Sequence, residues 1–232
     1  AADCRALLAG LKEVLREGDP IRAPLTASMA SAGEAPDAWR AAMTAGDDAL
    51  TRGDATTARR LLDDAAAKAQ AAAPPRLFLL QARAQIACGD PEKGLRCAKE
   101  GIASCDESHV DCAALHNAAG QAAELLDQRK KAIRSFAAAC ELTTSGDAHW
   151  DAAEARAGKA RQLSAADDFV AAAAAFGEEA RVLEHAGLSN GTARALARRA
   201  VCMAQAGATD QAIKELQRAA ERLSEGEEPV SS

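Results

Sequence analysis

The sequence predicts an all-α fold of stacked antiparallel helical hairpins, and three observations carry that prediction. Roughly a quarter of the 232 residues are alanine. Alanine is the strongest helix former and has almost no side-chain volume, so helices rich in it approach one another closely. No run of alternating β-branched residues marks a strand. Small residues also recur at a fixed spacing, one position being followed by others at +12 and +19.

Taken in order, residues 1–37 open with a helical stripe, Leu7, Leu8, Leu11, Val14 and Leu15, stopped by Gly18-Asp19. Pro20, Pro24 and the small polar residues that follow give no clean second helix, so this segment reads as a degenerate cap and connection. The repeats occupy 38–223, in about five hairpins. Four sets are evident: Gly46, Ala58, Ala65; Ala82, Gly94, Gly101; Gly120, Ala132, Ala139; and Ala200, Ala212, Ala219. The first small residue lies in one helix, the other two on the face of the next helix that turns back toward it. Missing bulk at these points lets the axes come within roughly 8–9 Å.

Turns are expected at Gly53-Asp54, Gly89-Asp90 and Gly207-Ala208, and packing residues at +16, namely Leu62, Ala98, Phe136 and Leu216. A further repeat should fill 140–200. Gly158 is taken as its first small residue, although +12 then falls on Val170. Residues 224–232, "SEGEEPVSS", read as a flexible tail. A single hairpin leaves its apolar stripe open, whereas stacked hairpins bury it and wind into a superhelix.

The stretch "LHNAAGQAAELLDQRKKAIRSFAAACEL" resembles the tetratricopeptide repeat (TPR) family: Gly120, Ala132, Phe136 and Ala139 stand at its small, small, aromatic and small positions. "ACGDPEKGLRCAKEGI" and "AQAGATDQAIKELQRAAERL" carry its turn and second helix. The resemblance implies a right-handed superhelical solenoid, and steps of 36 to 40 residues are similar to the lengthened repeats of kinesin light chains and bacterial regulators. It also implies a concave groove lined by the first helix of each hairpin, at −6, −3, +1 and +4 from the first small residue. Carried over, the polar members include Arg40, Arg76, Arg83, Asn117, Gln121, Lys159 and Arg194 as partner-binding residues, with Asp47 and Glu124 the acidic ones. Five basic and two acidic residues in that set, in a chain of formal charge −6, bias the groove toward an acidic protein or peptide segment.

Acidic and basic residues are interspersed without a Lys/Arg block, which argues against nucleic acid, and no apolar run is long enough to span a membrane. Seven cysteines fit an exported, periplasmic protein with disulfides or a cytoplasmic one with thiols in small core sites, and the count favours export. Candidate disulfide partners are Cys88, Cys97, Cys105, Cys112 and Cys140: Cys88 with Cys97 across a turn, Cys105 with Cys112, or Cys112 with Cys140. Cys105, His109, Cys112 and His116 are spaced like four ligands on one helix face. Ser108 and Asp111, however, form an S-x-x-D capping box that leaves Cys105 outside the helix, so no metal site is expected.

No nucleophile elbow, P-loop, dinucleotide motif or zinc signature is present, and no cofactor is implied. The expected function is a non-enzymatic scaffold for a protein or peptide, a subunit of a larger, cell-envelope assembly of a bacterium. The alternatives are a cysteine-rich metal or redox module and the regulatory repeat domain of a larger protein.

Overall fold

A computed structural model of the chain describes residues 38–69, 73–106, 111–143 and 149–225. The expectations for the N-terminal cap, for Ser108 and His109, and for the tail beyond Glu225 lie outside these residues. The described residues form ten helices and no strand. They divide into two compact units, 1–111 and 112–232. The first holds α1 (Ala38–Thr51), α2 (Ala55–Ala69), α3 (Pro75–Ala87) and α4 (Pro91–Ser104). The second holds α5 (Cys112–Leu125), α6 (Arg129–Leu142), α7 (His149–Ser164), α8 (Phe169–His185), α9 (Ser189–Gln205) and α10 (Thr209–Glu225). Each odd-numbered helix pairs with the even-numbered one after it as an antiparallel hairpin, and successive hairpins stack within each unit.

One backbone device makes every hairpin turn. Gly53, Gly89 and Gly207 have φ of 78°, 79° and 87°, and the next residue donates its N–H five residues back: Asp54 to Ala49, Asp90 to Gln85, Ala208 to Met203, each at 2.9 Å. This 6→1 bond satisfies a carbonyl at the helix end and reverses the chain. The three turns read from the sequence are therefore present. Two others place aspartate in the left-handed region, Asp127 at φ 52° and Asp167 at φ 60°, with the same bonds from Gln128 to Ala123 and from Asp168 to Leu163. Aspartate tolerates that conformation better than most residues but less well than glycine. Asp167→Gly is accordingly expected to raise stability by about 0.5–1 kcal/mol, measured by urea unfolding. The side chains of Asp54, Asp90 and Asp168 then cap the following helix, accepting from the backbone N–H of Thr57, Lys93 and Ala171 at 3.1, 3.1 and 3.2 Å.

All twelve small positions of the four sets are buried. At Gly46 and Gly120 the +16 residue fills the space that the missing side chain leaves. A Cβ on Gly46 would lie 2.6 Å from Leu62 Cγ, and one on Gly120 would lie 2.7 Å from Phe136 Cδ1. In the first unit Leu62 anchors a core with Ala42, Ala58, Ala65, Leu77 and Leu80. In the second, Phe136 is fully buried against Ala123 and Ala132. Leu216, the last of the +16 residues, is 47 % exposed, because no described helix follows α10.

The fourth hairpin corrects the sequence reading. Its turn places Ala160, not Gly158, nine residues before the start of α8, the spacing found in the other four hairpins. From Ala160, +12 is Ala172 and +16 is Phe176, and the three share one core cluster, whereas Val170 is 73 % exposed. Gly158 makes room for the preceding hairpin instead. A Cβ there would lie 2.5 Å from Phe136 Cζ, so the missing side chain admits that ring. First small residues at 46, 82, 120, 160 and 200 give steps of 36, 38, 40 and 40.

Candidate functional site: the first-helix face

With the register set, the fourth hairpin contributes Glu154, Ala157, Arg161 and Ser164 at −6, −3, +1 and +4, in place of Ala152, Ala155, Lys159 and Gln162. Lys159 falls one residue short of the small position. Burial raises the pKa of the Cys140 thiol in α6, and the charges of Arg156 and Lys159 oppose that rise. The face keeps five basic residues and gains Glu154 as a third acid.

Polar links join consecutive first helices within each unit. In the first unit Arg76 donates to Asp47 Oδ2 at 3.2 Å and to Asp111 Oδ1 at 3.4 Å, joining α1, α3 and the start of the following segment. In the second unit Gln121 donates to Glu154, and Arg161 makes a two-pronged contact with Glu124 at 2.8 and 3.0 Å. That contact, its largest influence, holds the Arg161 guanidinium above its usual pKa against the opposing effect of burial. Asn117, 1 % exposed, donates to the Asp151 carbonyl at 2.8 Å. Two links thus follow one rule, the +1 residue of a hairpin bonding the −6 residue of the next: Asp47 with Arg76, and Gln121 with Glu154. Such pairing ties successive hairpins together at a set stagger.

The remaining residues of the sequence-derived set are dispersed. Arg40 stacks over the Trp39 ring, 5.1 Å from its centroid, and Arg83 is half-buried on α3. Arg194 lines a cleft of about 780 Å³ between α7, α8 and α9. Glu154 lines it too, with Trp150, Ala153, Glu179, Leu183, Leu188 and Arg198. Glu179 stands at +19 from Ala160, where the other hairpins have Ala65, Gly101, Ala139 and Ala219. It is 6 % exposed, and burial raises its carboxyl pKa to about 7 despite Arg198 and Arg161. Glu154, Arg161, Glu179 and Arg198 were absent from the sequence-derived set. The equal steps from 120 to 160 to 200 are the signal that recovers the first three.

The cysteines do not bear out the expected bridges: no disulfide joins two described cysteines. Cys88, expected to face Cys97, instead directs its Sγ to the Ala55 carbonyl of the preceding hairpin, at 3.3 Å. Cys97 lines a separate cleft with Arg59, Lys93 and Arg96, and burial raises its pKa, as it does that of Cys140. Cys112 is buried at the start of α5, and Cys105 is half-buried at the end of α4. Burial lowers the pKa of His116, which favours its neutral form. Among the described residues no group of three or more His, Cys, Asp and Glu side chains converges as metal ligands, and no helix is long and apolar enough to cross a membrane.

No protein-family description matches the sequence, and no curated protein does. Solved structures do. The kinesin light chain TPR-like repeats of Podosopora anserina align over 85 % of this chain and all of theirs, at 15 % identity and a TM-score of 0.69. BtubC of P. vanneervenii aligns over 99 % of this chain and 93 % of its own, at 16 % identity and 0.69. A MamA structure aligns over 85 % and 100 %, at 18 % identity and 0.64. At such identities the likeness speaks for backbone arrangement. Ten helices in stacked hairpins, with small residues at their crossings, have the fold of the TPR-like helical-repeat solenoids.

Proposed function

We propose that the chain is a non-enzymatic scaffold that holds a protein or peptide partner, with an acidic segment, along the first-helix face, and that it works as a subunit of a larger complex. One observation carries this reading: the first helices present charged and amide side chains at repeated positions, and in the second unit these open onto a cleft large enough to seat side chains of a partner. Extended peptides are recognised by such rows through main-chain hydrogen bonds and pockets for alternate side chains. The TPR-like neighbours support a protein-holding role by their fold.

Arg83 in the first unit and Arg194 in the second are the basic residues to reverse. Affinity capture from the native source with the wild-type chain, and with Arg83→Glu/Arg194→Glu, tests the face. The double variant is expected to lose a specific partner at least about tenfold, the scale of one or two charge-assisted contacts. Equal recovery counts against the groove. An exported setting within a cell envelope is part of the same reading, and fractionation of the native source tests it: recovery in the cytoplasmic fraction counts against it.

A further inference from the structure

Glu179 breaks the rule that shapes the rest of the chain. At the third small position four hairpins carry alanine or glycine, and each is buried. The fourth hairpin carries a glutamate there, also buried, whose side chain lines the α7–α8–α9 cleft. Its Oε1 lies 3.6 Å from Arg198 Nη1, too long for a strong hydrogen bond, and its Oε2 is buried with no hydrogen-bond partner. A buried carboxylate oxygen without a donor costs free energy, and alanine would fit the position. The group therefore makes sense as half of a contact completed from outside.

The lining indicates what completes it. Ala153, Leu183 and Leu188 supply apolar surface, and the Trp150 ring, 71 % exposed, stands beside them. Arg194 and Arg198 come from α9. Arg161, which also faces Glu179, is already committed to Glu124. A carboxylate guest entering to the bottom would meet Glu179. A guanidinium uses its fork best on two oxygens, and Arg198 already sits on one. An ammonium is compact, needs a single acceptor, and trails a four-carbon stem suited to the apolar wall and the indole.

We propose that this cleft receives a lysine side chain of the bound segment, with the Glu179 carboxylate accepting from its ammonium and Arg194 and Arg198 taking carboxylates on either side of that lysine. The inference rests on the partner-binding reading and gives the partner a chemistry: a lysine between acidic residues, instead of an acidic run.

The probes are blocked heptapeptides with a Glu-Lys-Glu centre between alanines, and the same peptide with norleucine for lysine. Binding is followed by Trp150 fluorescence in a Trp39→Phe background and by NMR titration to millimolar peptide. The lysine peptide is expected to bind about tenfold or more tightly than the norleucine peptide. Glu179→Gln removes that difference and leaves the norleucine peptide unchanged. Glu179→Ala, which installs the residue of three other hairpins, repeats the result in a chain whose helicity is checked by circular dichroism. No response to the lysine peptide, equal affinity for the two peptides, or a preference that survives both variants overturns the lysine pocket. In native capture, loss with Arg194→Glu but not with Glu179→Gln overturns the pocket and leaves the scaffold reading standing. Capture that survives both substitutions overturns the two together.

Discussion

Replacing Phe136 by alanine is expected to destabilise the second unit by about 3–5 kcal/mol, the usual range for deleting a fully buried aromatic ring. The ring is 0 % exposed and lies between two glycines, Gly120 of its own hairpin and Gly158 of the next. Both places where a Cβ would stand are within 2.7 Å of its carbons. Neither flank carries a side chain that could move into the void, so the hole collapses only if α5, α6 and α7 shift as helices. The converse substitutions should also be costly. Gly158→Ala or Gly120→Ala overpacks a ring that has no free side, at about 1–3 kcal/mol. Urea unfolding followed by circular dichroism at 222 nm measures both effects. A Phe136→Ala loss below about 1 kcal/mol would show that the ring does not hold these hairpins together.

Glu179→Ala is expected to act in the opposite direction, with a gain that grows as pH rises from about 4.5 to about 7 and is complete above it. The folded carboxyl titrates near 7, against an ordinary value of 4.5. Between those values the native state holds a proton that the unfolded chain has released. Stability therefore falls as pH rises through this window, and the full loss is present above about pH 7. A difference of this size corresponds to about 3 kcal/mol. Alanine removes the penalty, and Arg198, half of whose side chain is exposed, stays hydrated without its partner. Thermal melts of the variant and wild type should differ by on the order of 5–10 °C at pH 8 and converge near pH 4.5. The same gain at both pH values would mean that Glu179 is not buried as an acid. That cost in stability is what the proposed lysine pocket would trade for recognition.

The fold was legible because its cause is local and periodic. Small residues at +12 and +19, a bulky one at +16 and a turn at +7 all report one steric requirement, close helix crossing, and each appears in the sequence as the residue type itself. The fourth hairpin was misread where two small residues compete. Gly158 looks like the crossing residue because it is small, but it is small on behalf of Phe136 in the preceding hairpin. A sequence shows that bulk is missing, whereas the neighbour that requires the space is a fact of packing. The same limit applies to the polar face. Arg76 and Gln121 were readable as outward-facing side chains, yet their links to Asp47, Asp111 and Glu154 run between residues about 30 apart and depend on the stagger of the stack.

By itself, then, the sequence determined the helices, the hairpin turns at Gly53, Gly89 and Gly207, and the small positions of four hairpins, since these follow from side-chain volume and backbone freedom within one hairpin. Only the tertiary structure decided the phase of the fourth hairpin, the free thiols of cysteines such as Cys88 and Cys97, and the burial of Glu179 beside Arg198. Those outcomes depend on which neighbouring hairpin a side chain meets, and stacking, not propensity, sets that.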